Sequence, residues 1–171
     1  MVETLEIMID GTKYQCLEGQ TVLEVATKNG IYIPTLCFLK EISPTGACRL
    51  CVVEIEGFSR PQPSCVTKAA NGMKVTTNTP RLRKIRKTLL ELLIANHPND
   101  CLYCVRSGSC DLQKLAKKYG LRDHRYLGIK REYALDVSSM AIIRDPNKCI
   151  LCEHCIKVCD EIQSVSAIGL I

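Results

Sequence analysis

Twelve cysteines among 171 residues are the feature of this sequence most able to do chemistry. At about 7% they exceed what packing needs and approach the level at which cysteines define a fold. Cys37, Cys48, Cys51 and Cys65 form one set, with ten, two and thirteen residues between them. His97, Cys101, Cys104 and Cys110 form a second, with gaps of three, two and five. Cys149, Cys152, Cys155 and Cys159 form a third, with gaps of two, two and three. Clustered cysteines are disulfides or metal ligands, and compartment decides between them. Met1 to Glu6 has neither the cationic region nor the apolar run of a secretory signal. The apolar cluster from Leu89 to Ala95 is too short to cross a bilayer, so no membrane insertion is expected. A cytoplasmic chain with reduced thiols is therefore expected, and the three sets read as metal sites.

Each set has its own chemistry. In the first, Cys48 and Cys51 can grip a site from one tight loop, while Cys37 and Cys65 arrive from distant segments. The small Gly46 and Ala47 are expected to let backbone amides approach sulfur and tune its potential. Four thiolates suit zinc or a two-iron cluster, and the first gap differs from the plant-type ferredoxin spacing, so zinc stays open. In the second set a lone His before cysteines would read as zinc-like or incidental, but His97 stands at a helix end broken by Pro98 and leads into a loop-like span carrying three cysteines, so it is expected to be a ligand. The third set has the spacing of the bacterial ferredoxin run, suited to a cubane cluster, with Asp160 where that pattern has Pro. In two-cluster ferredoxins the fourth Cys of such a run ligates the other cluster, and no second run follows before Ile171. Either all four bind one cubane, a partner completes the site, or the chain is a piece of a longer protein. Cys159 is the least secure ligand. His154, inside the run, reads as a surface residue, and the leftover Cys16 as a small buried hydrophobe.

These sets need elements to position them. Thr4 to Ile9 reads as a strand, Asp10-Gly11 as a hairpin turn, and Thr12 to Cys16 as the returning strand. Thr21-Val22-Leu23-Glu24 has capping-box spacing and opens a helix that Gly30 can close. Cys51 to Glu56 and Met73 to Thr77 read as further strands, giving a mixed sheet with one packed helix. Asn78-Thr79-Pro80 marks a break and a helix start. From Arg81 to about Asn96, Leu82, Ile85, Leu89 and Leu92 or Leu93 recur at helical spacing. Arg81, Arg83, Lys84, Arg86 and Lys87 read as a solvated face, with docking to an acidic partner as the sharper alternative. Nucleic acid is not expected, because no aromatics interleave with these charges and aromatics are only 5% of the chain. Lys117 to Arg131 reads as helix end and connector, and a third stretch runs from Tyr133 to Ile171. The formal charge of +5 loses its weight if the ligands are thiolates: two four-Cys clusters and one with a His carry roughly −5 together.

The three sets in this order and spacing resemble the amino-terminal region shared by the large iron–sulfur subunit of respiratory complex I and by [FeFe]-hydrogenases. Related NAD(P)-linked hydrogenase and formate dehydrogenase subunits have the same region. The resemblance spans the whole chain and rests also on Pro34-Thr35-Leu36-Cys37, Gly46-Ala47-Cys48-Arg49-Leu50-Cys51, His97-Pro98, Cys110 to Leu115, Asp145 to Ile150 and Glu161-Ile162-Gln163. It implies an α+β chain of three modules. A β-grasp, plant-ferredoxin-like domain over 1–78 would hold a [2Fe-2S] cluster on Cys37, Cys48, Cys51 and Cys65. A small helical module over 79–132 would hold a [4Fe-4S] cluster on His97, Cys101, Cys104 and Cys110. A partial bacterial-ferredoxin-like segment over 133–171 would hold a second [4Fe-4S] cluster on Cys149, Cys152, Cys155 and Cys159. No residues remain for a catalytic domain and no glycine-rich dinucleotide fingerprint is present, so this chain alone is expected to carry no catalytic site. The implied role is an electron-transfer subunit of an NAD(P)H-linked oxidoreductase, with a flavin-based electron-bifurcating hydrogenase favoured over a formate dehydrogenase or NADH dehydrogenase. Its implied partners are a flavin- and NAD(H)-binding iron–sulfur subunit, a hydrogenase or formate dehydrogenase catalytic subunit, and ferredoxin.

Overall fold

The computed structural model describes residues 4–98, 100–122, 125, 126, 130 and 132–169. Asn99 in the second ligand loop, and parts of the connector 117–131, lie outside them. Chain packing divides the molecule into two units, one of residues 1–86 and 153–171, the other of residues 87–152.

The first unit is built on a five-stranded sheet. Strands β1 (Thr4–Ile9) and β2 (Thr12–Leu17) form an antiparallel hairpin in the register Ile9 to Thr12 through Thr4 to Leu17. Asp10 and Gly11 make its turn, both with positive φ (49° and 84°), as a two-residue primed turn requires. Helix α1 (Val22–Lys28) follows with the capping box complete: Glu24 N–H donates to Thr21 Oγ1, and Thr21 N–H donates to the Glu24 carboxylate. Strands β3 (Val52–Ile55), β4 (Gln62–Pro63) and β5 (Lys74–Thr76) complete the sheet in the order β2-β1-β5-β3-β4. The central β1–β5 pair is parallel and the others antiparallel, so the sheet is mixed.

Alternation in β1 and β3 turns Ile7, Ile9, Val53 and Ile55 to one face, where they meet Val22, Leu23, Val25 and Ala26 of α1. Cys16 is buried in that core, as its position on the second strand suggested. This packing fastens the loop that carries Cys65. Val22 and Leu23, whose amides have no partner within α1, donate to Thr67 O and Ser64 O. Helix start and Cys65 loop are thereby one piece. Residues 153–171 add a helical turn, α4 (His154–Lys157), continued by a π-helical turn over Val158–Ile162. Glu161 of that turn accepts the Ser43 amide at 2.7 Å.

Helix α2 (Pro80–Ala95) starts at proline and stops before His97 and Pro98, as predicted. Its buried stripe differs from the predicted one. Leu82, Arg86, Leu90, Glu91 and Ala95 are buried, while Leu92 is 42% exposed. Arg86 therefore does not belong to the solvated face assigned to it. The residue is 3% exposed, and its guanidinium is occupied by backbone carbonyls.

In the second unit, helix α3 (Asp111–Lys118) buries Leu112 and Leu115 and exposes its lysines. Glu91, 2% exposed, receives two hydrogen bonds from Arg125, at 2.7 and 3.0 Å. A single 3-10 turn over Pro146–Lys148 is capped by Asp145, which accepts the Asn147 amide. Asn147 in turn holds the backbone of Tyr133 through both its side-chain oxygen and nitrogen.

Candidate iron–sulfur centres

The first set is brought together at one end of the sheet. Cys51 immediately precedes β3, Cys65 follows β4, and Cys37 and Cys48 lie in the long loop between α1 and β3. Cys37, Cys51 and Cys65 are buried, and Cys48 is half-buried. The sulfurs meet as two pairs. Cys51 Sγ lies 3.3 Å from Cys65 Sγ, and Cys37 Sγ hydrogen-bonds with Cys48 and accepts its amide at 3.4 Å. Ser64 holds the second pair in place by donating to Cys51 O from both its amide and its hydroxyl.

Proton sharing within each pair splits the two thiols. The hydrogen bond from Cys37 lowers Cys48 to about 6, helped by the amides of Leu50 and Leu36, while Cys37 is pushed up. The hydrogen bond from Cys65 lowers Cys51 to about 7, helped by the Cys65 amide, while Cys65 is pushed up. Cys37, Cys48 and Cys51 all act on Cys65 through their charge, so the four form one electrostatic group. Metal binding removes the remaining protons, since ligands bind as thiolates.

Next to Gly46 and Ala47 a backbone amide does approach sulfur, that of Cys48 donating to Cys37 Sγ. The Ala47 amide goes to Thr45 Oγ1 rather than to sulfur. Gly46 has φ of 66°, and a side chain there would come within 3.6 Å of Val66. Its role is the left-handed turn, continued by Arg49 at φ of 56° between the two cysteines.

The second set lines one cavity of about 110 Å³ between α2, the 3-10 turn Cys101–Tyr103 and α3. His97, Cys101, Cys104 and Cys110 all face it, with Ile94, Leu112 and Ala116 supplying apolar wall. His97 Nδ1 lies 2.9 Å from Pro98 O. A carbonyl only accepts, so Nδ1 carries the proton and Nε2 keeps its lone pair for a metal. Cys110 caps α3, and Gln113 Oε1 accepts the Gly108 amide, closing the loop. Asp100 also lines the cavity, and its Oδ2 pairs with Lys148 Nζ at 3.1 Å. Sequence reading did not single out Asp100 or Lys148. The Asp145-to-Cys149 motif is visible in the sequence, but its reach back to Asp100 depends on tertiary placement.

The third set is divided by the units. Cys149 and Cys152 belong to the second, with Cys149 exposed and accepting the Leu151 amide at 3.4 Å. Cys155, on α4, and Cys159, on the π-helical turn, belong to the first. Cys159 is buried, accepting the Ala167 amide at 3.3 Å. Leu151 and Glu153 have positive φ (53° and 63°), the backbone that turns successive amides towards an anion. His154 is not the plain surface residue expected: its Nε2 is buried and has no hydrogen-bond partner among the described residues.

Among the described residues no three His, Cys, Asp or Glu side chains enclose a single metal ion. The donor chemistry fits clusters better. Two thiolate pairs suit two irons, and a cavity of this size lined by one His and three Cys suits a group larger than one ion.

Comparison with known proteins agrees. The family described as a 2Fe-2S iron-sulfur cluster binding domain matches residues 2–80, and the NADH-ubiquinone oxidoreductase-G iron-sulfur binding region matches residues 86–125. A chain in the crystal structure of NAD+-reducing [NiFe]-hydrogenase in the H2-reduced state superposes with a TM-score of 0.90 at 36% identity, over 96% of this chain and 69% of that one. This chain belongs to that iron–sulfur subunit family. Within the family, an NADH-quinone oxidoreductase subunit of Rhizobium meliloti is 41% identical over 98% of this chain and 20% of its own length. The NADP-reducing hydrogenase subunit HndD of Solidesulfovibrio fructosivorans is 42% identical over 96% of this chain and 29% of its own. The NADPH-Fe(3+) oxidoreductase subunit alpha of Geobacter sulfurreducens is 42% identical over 98% and 20%. The chain thus spans a fifth to three-tenths of these relatives. The family carries 2Fe-2S and 4Fe-4S binding regions, and the α+β fold matches its solved member. No described helix is long and apolar enough to cross a membrane.

Proposed function

We propose that this chain is an electron-transfer iron–sulfur subunit of an NAD(P)H-linked oxidoreductase complex in the cytoplasm. It holds a [2Fe-2S] cluster on Cys37, Cys48, Cys51 and Cys65 and a [4Fe-4S] cluster on His97, Cys101, Cys104 and Cys110. A second [4Fe-4S] cluster sits on Cys149, Cys152, Cys155 and Cys159. The observation that carries the reading is the cavity onto which His97 and its three cysteines converge. The clusters supply one-electron redox chemistry, and the chain's own residues hold them, exclude water and set their potentials.

The modules follow the sequence as 1–78, 79–132 and 133–171, each too small for its apolar core alone to stabilise it well, so ligation also staples the fold. Electrons enter from a flavin subunit that exchanges them with NAD(H) or NADP(H), and leave towards a hydrogenase or a ferredoxin. The setting we favour is a flavin-based electron-bifurcating hydrogenase; an NADP-reducing hydrogenase subunit is among the relatives at 42% identity, and an NADPH-Fe(3+) oxidoreductase subunit stands at the same identity. A formate dehydrogenase or complex I-like setting would use the same chain in the same way.

The test is anaerobic purification of the native complex, identification of its subunits, and EPR after adding NADH or NADPH. We expect a flavin subunit to co-purify and the cluster signals of this chain to appear only when it is present. Clusters that stay oxidised in the intact complex with either nucleotide would overturn the reading.

A further inference from the structure

Arg86 is a buried cation, 3% exposed, with no ion-pair partner among the described residues. The neighbouring cations behave differently: Arg81 pairs with Glu54 at 3.7 Å, and Arg83, exposed, reaches Asn78. Arg86 instead gives its donors to three backbone carbonyls, Nε to Leu50 O at 3.0 Å and Nη2 to Val52 O at 2.6 Å and Thr77 O at 2.9 Å. The Asp10 carboxylate is taken up by the Thr77 amide and hydroxyl.

A buried charge with only neutral partners is costly. Leu or Met at this position would continue the apolar stripe of α2 between Leu82 and Leu90 at no such cost. The three carbonyls compensate part of it. What remains asks for a negative charge nearby, and the identity of the carbonyls says where. Leu50 O belongs to the peptide unit that carries the Cys51 nitrogen, and Val52 is the residue directly after Cys51. The guanidinium therefore grips the backbone on both sides of one proposed ligand of the two-iron cluster. A [2Fe-2S] group held by four thiolates carries about −2 when oxidised and one charge more when reduced.

We infer that Arg86 is the internal counter-ion of the [2Fe-2S] cluster, positioning Cys51 through its two neighbouring carbonyls and raising the cluster's reduction potential. This rests on the proposal that Cys37, Cys48, Cys51 and Cys65 hold that cluster. A cation stabilises the reduced form more than the oxidised form because the reduced form is more negative. Solvent screens the effect less than at the surface, since Arg86 is buried, and its charge is permanent.

Three variants of the full chain, purified anaerobically, separate this from a purely structural clip. Arg86→Gln removes the charge and keeps a hydrogen-bonding head. Arg86→Lys keeps the charge and gives up the fork that spans several carbonyls. Arg83→Gln removes an exposed charge from the same helix. EPR-monitored redox titration of the two-iron signal is the readout, with thermal melting alongside. At the wild-type midpoint we expect Arg86→Gln to reduce the ratio of reduced to oxidised cluster by about tenfold, a downward shift of about 59 mV for one electron. Arg86→Lys should stay within about twofold of wild type although it melts earlier, and Arg83→Gln should match wild type. An unshifted potential in Arg86→Gln would overturn the inference. If Arg86→Gln does not assemble, Arg86→Lys decides, because a tenfold displacement with the charge retained would also overturn it. Absence of any two-iron signal from wild type would instead sink the cluster assignment itself.

Discussion

His97 is the residue at which ligand geometry and ligand charge can be separated. Its Nδ1 is turned to Pro98 O, which leaves Nε2 for the cavity, and Pro98 both stops α2 and supplies the orienting carbonyl. A neutral imidazole leaves the cluster one charge less negative than a fourth thiolate would. Adding an electron therefore costs less. His97→Cys should lower this centre's reduction potential while a tetranuclear signal persists, as followed by EPR redox titration. An unchanged or higher potential would reject the charge argument. The same arithmetic makes Arg86 informative: one device withholds a negative charge from a cluster, the other places a positive charge beside one. The split thiol pairs show a further detail at this scale. Cys48 and Cys51 are the members of each pair lowered by their partners and by backbone amides, and so the more readily ionised.

At the scale of elements, α2 carries two kinds of cation that its sequence presents as one run. Arg86 faces inward, whereas Arg81, Arg83, Lys84 and Lys87 are exposed. Reversing Arg83 and Lys84 to Glu should therefore spare the isolated chain's clusters and hold its stability to within about 0.5 kcal/mol, as surface changes usually do, which thermal melting checks. If this face docks an acidic partner, the double reversal should weaken co-purification of the complex, more so at low salt than at high. Co-purification unaffected at every salt concentration would return these residues to a solvated face.

The element scale also shows what periodicity can and cannot convey. The hairpin, the capping box, the proline start of α2 and the central strands are legible because each depends on local residues: Asp10-Gly11, Thr21 with Glu24, Pro80, and alternating Val and Ile. The inward stripe of α2 departs from the expected Leu82, Ile85, Leu89 and Leu92 or Leu93. Hydrophobicity alone gives no reason to bury Arg86 or Glu91. Their partners, three carbonyls for one and Arg125 for the other, come from other segments of the chain. The Asp100–Lys148 pair is hidden for the same reason. Cysteine and histidine spacing, by contrast, groups Cys37, Cys48, Cys51 and Cys65, and His97 with Cys101, Cys104 and Cys110, but does not say which thiols of the first group pair.

For the whole molecule, three redox centres in one chain would make a relay, as proposed, and the first two would also fasten segments of the chain to one another. The first set ties the α1–β3 loop to the start of β3 and the turn after β4, and the second ties the end of α2 to α3. The third follows the chain from one unit into the other. The central claim is that all three are iron–sulfur clusters, and metal analysis reaches it most directly. Iron, zinc and acid-labile sulfide should be measured per chain in anaerobically purified protein, with EPR of the reduced sample. Two, four and four irons sum to about ten, with about as much sulfide, no stoichiometric zinc and three distinguishable signals. A value near six irons with no third signal would leave the third set empty, and zinc in place of iron would contradict the relay altogether.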